Sequence, residues 1–304
     1  ISTLNDLLSS RIIELECIAA GLQQPGSCQT EICWLALGSE GRVEQTLSTD
    51  QDNGIVFAAA PGEAEKVRAR LLSFARAVNQ ALDACGFPLC KGEIMAGNPR
   101  WCLTLEEWKG VFAAWIDQGD PQALLNASIF FDFRPLEGDT ALAENLRQWL
   151  AARARATPRF LHQMAANALR NRPPLGVVRD FVLEAGGDYE HTIDLKLNGT
   201  TPFVDAARIY SLAAGDNHTN TLLRLRAAAS ALNIPGPEVE AWGEAFLFIQ
   251  LLKLRNQHWR EAEGKPMHNH IDPDELNELE RRILKEAFRQ ARKLQQRLAL
   301  DYGL

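Results

Sequence analysis

The chain has no CxxC pair. Its six cysteines (Cys17, Cys28, Cys33, Cys85, Cys90 and Cys102) are scattered, follow no zinc-ligand spacing and are too few to form a disulfide scaffold across 304 residues. A reducing cytoplasm is the expected location. No apolar run reaches the roughly 18 residues of a membrane span, and the N-terminus lacks the basic-then-apolar layout of a secretory signal, so no membrane partner is expected. Positive charge is in deficit: 32 Lys and Arg against 39 Asp and Glu give a net charge of -7 and a pI near 5.5. That balance argues against broad electrostatic binding of nucleic acid. Internal repeats and low-complexity stretches are missing too. Ile1 in place of Met points to an internal start within a longer chain.

What is present is enough apolar material, 46% of residues, for one large core or two ordinary ones. Leu4, Leu7, Leu8, Ile12 and Leu15 recur at helical spacing before Gly21. "EICWLAL" and "NGIVFAAA" read as short strands, and Glu63 to Gly86 as an amphipathic helix. Thr104 with Glu107 three residues on forms a capping box for the next helix. "NASIFFDFRPL" is β-rich and reads as a third strand, with Phe130, Asp132 and Arg134 on one face. Beyond "DTALAENLRQWLAARARA" the pattern is helical. Thr201-Pro202 opens one helix that Gly215 closes, others cover about 219 to 232 and the "GPEVEAW" stretch, and Asp272-Pro273 opens the last. The chain is therefore expected to divide near residue 139 into an α/β half and a helical half.

Chemistry concentrates in "LALGSEGRVEQTLSTDQDNGIVF". Side chains at i and i+2 of a strand point the same way, so Asp50 and Asp52 project together while Gln51 and Asn53 face opposite. Two adjacent carboxylates repel unless a cation sits between them. Mg2+ (or Mn2+) suits hard oxygen ligands and is commonly held by a few carboxylates plus nucleotide phosphates. Asp132 is a candidate third carboxylate, with Arg134 as a phosphate-facing cation. Gly38 and Ser39 lack bulk, so backbone N–H groups there can approach a triphosphate, and Arg42 can add charge-assisted contacts. Glu40 reads as a solvated or loop-structuring residue.

The spacing Gly38-Ser39, ten residues, Asp50-x-Asp52 resembles the signature of the polymerase-β-type nucleotidyltransferase superfamily. "GSEGRVEQTLSTDQDN" is similar to the version in bacterial nucleotidyltransferases that accompany CBS or cyclic-nucleotide-binding domains, themselves similar here to the PII-uridylyltransferase of nitrogen regulation. The resemblance continues through "GNPRW", "FFDFRPL", "RPPLG", "IDLKLNGTTPFVDAARI" and "NTLLRL", and so covers most of the chain. It implies an α+β fold: a nucleotidyltransferase domain with a small mixed sheet over 1–138, then an all-helical substrate- or partner-binding domain over 139–304. It also implies metal carboxylates at Asp50, Asp52 and Asp132, an NTP substrate, an acceptor hydroxyl that a protein could supply, and an upstream regulatory domain. Two other readings stand beside it: a non-catalytic nucleotide-binding regulatory module, and a small-molecule nucleotidyltransferase.

Several motifs carry weaker signals. Lys91 and "GNPRW" either flank the cleft or form turns. Asp194 and Lys196 share an extended face, as a salt bridge or as contacts to nucleotide or acceptor. "MHNH", with His268 and His270, lacks further ligands at metal spacing and reads as a solvated loop. Arg255, His258 and Trp259 lie on a long helix, and Arg153, Arg155, Arg159, Arg170 and Arg172 make the most basic segment.

Overall fold

The computed structural model describes residues 1–22, 31–176 and 181–304. Cys28 lies outside the described residues. The chain forms two compact units, Ile1–Arg153 and Ala154–Leu304. The α+β class expected from the sequence is found: a small mixed sheet with helices, followed by a helical region.

The first unit begins with α1 (Ser2–Ala19) and contains strands β1 (Ile32–Ala36), β2 (Asn53–Phe57), β3 (Cys102–Thr104) and β4 (Arg134–Gly138). Their order is β3-β2-β1-β4, with β2 and β4 antiparallel to β1 and β3 parallel to β2. A four-residue helical turn, α2 (Gly38–Gly41), follows β1, and α3 (Ala64–Ala84) follows β2. Alternation along the strands separates two apolar faces. Ile55, Phe57 and Trp34 pack with Ile12 and Ile13 of α1 and Leu71, Phe74 and Val78 of α3. Gly54 points the other way, where an added Cβ would lie 3.2 Å from the Trp108 ring. That side is closed by aromatic residues of α4 (Leu105–Gln118) and the segment after it: Trp108, Phe112, Trp115, Phe130 and Phe131. The Trp108 indole donates to the Ile55 carbonyl at 2.9 Å, so its one polar atom is satisfied inside the core. α4 starts at the expected capping box, with both Thr104 and Glu107 bonds made.

The third strand departs from expectation. Residues Pro121–Phe130 form helix α5, and the strand begins only at Arg134. Asp120 accepts from the Ala123 amide and Pro121 occupies the first turn, so a capped helix start overrides the β propensity of "IFF". Phe130, Asp132 and Arg134 therefore do not share a strand face. α6 (Thr140–Arg155) then packs its buried Arg147 back onto this segment, where the guanidinium donates to the Phe131 carbonyl at 2.7 Å and to the Phe133 carbonyl.

The second unit holds α7 (Pro158–Ala168), β5 (Ile193–Asp194), α8 (Thr201–Ala214), α9 (Thr221–Leu232), α10 (Gly236–Ala262), β6 (His270–Ile271) and α11 (Glu278–Tyr302). Among its described residues it is helical apart from the antiparallel pair β5-β6 and an isolated bridge between Leu175 and Phe181. Gly215 ends α8 in the left-handed conformation at φ 72. Asp272 caps only the short turn Pro273–Glu275, and α11 starts later with its own capping box from Asn277 and Glu280. Of "MHNH", Met267–Asn269 form a loop as expected, and only His270 enters β6, where it pairs across from Asp194 and stacks on Tyr189 at 3.9 Å. Asp194 and Lys196 share no extended face, because Leu195–Thr200 winds into a π-type turn that Asp194 caps through the Lys196 and Leu197 amides.

Candidate functional site

The long separation between Gly38 and Asp52 closes through strand pairing. β1 and β2 run antiparallel with Ala36 opposite Asn53, and the Leu37 amide extends the ladder by donating to the Asp52 carbonyl at 2.9 Å. Gly38 therefore lies against Asp52. A Cβ built on Gly38 would sit 3.1 Å from Asp52 Oδ2, and its φ of +56 is a conformation that favours glycine. The Gly38-Ser39 turn begins α2, so the Ser39 and Glu40 amides precede its first intrahelical bond, from Gly41 N–H to the Leu37 carbonyl at 3.0 Å.

Asp50 and Asp52 sit just before β2 rather than within it, yet the strand alternation persists. Gln51 and Asn53 are buried on the α3 side. The Gln51 amide donates to the carbonyls of Asn79 and Phe87 at 2.9 and 2.8 Å, and Asn79 bridges Gln51 Oε1 and Asn53 Oδ1. This satisfied network holds residues 51 to 53 in register and turns Asp50 and Asp52 outward together. Gln51 N–H also donates to the Pro88 carbonyl and Asn53 N–H to that of Ile94, which lays the 88–94 loop along the same edge. Cys90 arrives in this way. Oxygen atoms of Asp50 and Asp52 and the Cys90 sulfur all lie within 4.8 Å of one another. A single divalent cation with bonds of about 2.1 Å spans two oxygens roughly 4 Å apart, so the donor set fits a metal with little adjustment.

Asp132 is not one of these three donors. It is fully buried, its carboxylate accepts from Arg42 Nη1 at 2.6 Å, and the cation cluster does not include it. Arg42 also binds Glu44 through Nε at 2.8 Å. Arg134 donates to the Glu40 carbonyl at 3.0 Å and to Asp6 at 2.6 Å, bracing α2 against α1. The structure thus brings Gly38, Asp50 and Asp52 together and joins Asp132 to Arg42. Lys196 belongs to the second unit, beside the Asp194 cap. Breaking a buried ion pair by removing one partner costs on the order of 3–5 kcal/mol. Arg42 keeps Glu44, so Asp132→Ala is expected to lose about 3 kcal/mol in urea unfolding, and an unchanged midpoint would deny the pair a structural role.

Glu40 is not simply solvated. Burial pushes its carboxyl up to about 7, Arg134 opposing and Asp6 and Asp52 adding to the rise. Because the folded protein holds this proton more tightly than the unfolded chain, the stabilisation is complete below about pH 4.5 and disappears as pH rises through about 7. Glu40→Gln is therefore expected to be more stable than wild type at pH 8, by up to about 3 kcal/mol in the absence of metal, and no more stable at pH 4. Urea midpoints at the two pH values check the sign.

Sequence reasoning missed Cys90 because nothing near it in the chain marks it. The signal is tertiary: the hydrogen bonds of Gln51 and Asn53 to residues 88 and 94. The "GNPRW" residues act as turn formers, with Asn98 capping the Pro99–Trp101 turn and Trp101 donating to the Glu93 carbonyl. In the second unit a cavity of about 720 Å3 is lined by Arg172, Leu175, Val182, Asn198, Arg292 and Ala299 among others. Among the described residues no helix is long and apolar enough to cross a membrane.

Two family models match the chain. Residues 1–122 match the family described as "Putative nucleotidyltransferase DUF294", and residues 158–302 match "Putative nucleotidyltransferase substrate binding domain". No curated protein matches it.

Proposed function

We propose that this chain, whose two parts match nucleotidyltransferase family models, moves an NMP group from an NTP to an acceptor hydroxyl, with Mg2+ or Mn2+ held by Asp50 and Asp52. The observation that carries this reading is the pair of outward carboxylates set against a glycine at the head of a small-residue turn. When bound, the cation supplies charge neutralisation on the triphosphate and on the pyrophosphate that leaves. Asp50 and Asp52 hold it at the edge of β2. Gly38 and Ser39 leave room for phosphate oxygens near backbone amides, and Arg42, oriented by Asp132, offers its charge to them. In this role Asp132 positions Arg42, and a direct part for it in metal binding or acceptor deprotonation would require release of that ion pair.

The N-terminal part, 1–138 by sequence, is proposed as the catalytic domain and the helical part, 139–304, as the one that binds the acceptor. The description of the second family and the cavity beside Arg172 and Arg292 support this division. A protein acceptor, Lys196 as a nucleotide contact, and control by an upstream CBS or cyclic-nucleotide-binding domain in a bacterial, cytoplasmic signalling chain belong to the same proposal. Their support is the resemblance alone, of the Gly38–Asn53 segment and, for Lys196, of "IDLKLNGTTPFVDAARI". The test is the thermal midpoint with each of the four NTPs, with and without Mg2+, followed by an assay for pyrophosphate release. A Mg2+-dependent rise with one NTP and release of pyrophosphate is the expected result. Binding without release would favour the regulatory-module reading, and no rise with any NTP would defeat the proposal.

A further inference from the structure

We infer that Cys90 is the third protein ligand of the cation centre, so that the site takes thiophilic divalent ions such as Co2+, Zn2+ and Cd2+ as well as the hard ions of nucleotidyl transfer. This rests on the reading of Asp50 and Asp52 as the cation carboxylates.

The geometry of the loop carries the inference. The Cys90 sulfur lies within 4.8 Å of ligand oxygens on both aspartates, a separation that one ion with about 2.3 Å bonds to sulfur and about 2.1 Å bonds to oxygen spans after a small closure. The placement is built: Gln51 N–H to Pro88 and Asn53 N–H to Ile94 clamp the loop at both ends of Cys90, and Glu93 turns at φ 55 between them. The thiol is buried, hydrogen-bonded to Asp52, and approached by the backbone amides of Gly92 and Ile94. Cys33 and Cys102, by contrast, are enclosed in the sheet and belong to no such cluster among the described residues. On binding, the Cys90 S–H bond breaks, a sulfur–metal bond forms, and the proton passes to bulk water. A carboxylate pair alone selects hard ions, whereas a carboxylate pair with a thiolate shifts preference toward softer ones.

The test is a Co2+ titration of the full chain carrying Cys28→Ser and Cys85→Ser, which remove the exposed thiol of Cys85 and the one outside the described residues. A saturable thiolate-to-Co2+ charge-transfer band in the near ultraviolet is expected. It should vanish in Cys90→Ser and in Asp50→Asn/Asp52→Asn, each variant keeping the far-ultraviolet circular dichroism of the parent. No band in the parent, or a band that survives either substitution, overturns the inference. A second readout needs no change at Cys90: alkylation of its tryptic peptide by iodoacetamide should slow at least tenfold with saturating Cd2+ and much less with Mg2+. Equal protection by the two ions also overturns it. If the parent shows no band but keeps the NTP-dependent rise, the ligand role fails while the nucleotide site stands. A band with no rise for any NTP leaves the centre and removes the transferase reading.

Discussion

Asp52→Asn is expected to abolish nucleotidyl transfer and the Mg2+-dependent midpoint rise with NTP, while leaving the fold in place. The magnitude follows from what the carboxylate does. A bound cation supplies several kcal/mol of charge stabilisation, and about 4 kcal/mol corresponds to a thousandfold in rate. In binding, a ligand at a hundredfold excess over its Kd stabilises by about 2.7 kcal/mol, which is roughly 5–10 °C for a unit of about 150 residues. Both effects should vanish together. The metal-free protein should behave in the opposite sense. Asp50 and Asp52 are like charges whose oxygens lie within 4.8 Å, so Asp50→Asn/Asp52→Asn should leave the midpoint without ligand unchanged or raise it by a few degrees. A double variant that melts early would show that the carboxylates serve the fold. Retained transfer in Asp52→Asn would sink the assignment. The contrast with Asp132→Ala, expected to destabilise, separates a repelling pair from an ion-paired carboxylate within one domain.

Gly41→Ala should be the most damaging single substitution in the phosphate turn, although residue 41 touches no ligand in the proposed reaction. A Cβ there would lie 1.7 Å from the Asp132 carbonyl oxygen and 2.8 Å from that of Ala36. Both obstacles are backbone. The first is held by Arg147 through the flanking carbonyls of Phe131 and Phe133, and the second belongs to β1. Side chains that meet flexible neighbours cost about 1–3 kcal/mol, and here nothing can rotate away, so a loss of about 4 kcal/mol or more is expected. Urea unfolding measures it. A loss below about 1 kcal/mol would mean that the turn and the Asp132 segment are not packed as described. Gly38→Ala is the milder control: its Cβ meets a side-chain oxygen at 3.1 Å, so the fault should fall on cation binding as much as on stability.

How legible the site was in the chain depended on how local its determinants are. Asp50 and Asp52 were readable because alternation places i and i+2 together wherever the backbone is extended, and the alternation extends three residues beyond the strand proper. The Thr104 capping box was readable because all of its bonds lie within one turn. The "IFFDF" segment was misread because local β propensity competes with a helix start, and the Asp120 cap with Pro121 prevailed. The start of α11 was misplaced because two cap sequences, Asp272-Pro273 and Asn277 with Glu280, stand five residues apart and only the second continues into a helix. Arg134 was read as facing phosphate from its pairing with Asp132 on a supposed strand, whereas its donors go to Glu40 and Asp6.

The sequence by itself determined the division into a mixed part and a helical part, the positions of most helices, and the outward pair of carboxylates after a small-residue turn. Each of these follows from spacing within a few residues, where periodicity, capping and steric permissiveness act without the rest of the chain. Only the tertiary structure decided that Gly38 abuts Asp52, that Asp132 joins Arg42, and that Cys90 completes the cluster. Those juxtapositions depend on antiparallel registry across a long connection, on a carbonyl clamp from α6, and on buried amides that pin a loop 36 or more residues away along the chain. Contacts of that kind are set by which surfaces can be buried together, and a linear pattern carries no record of them.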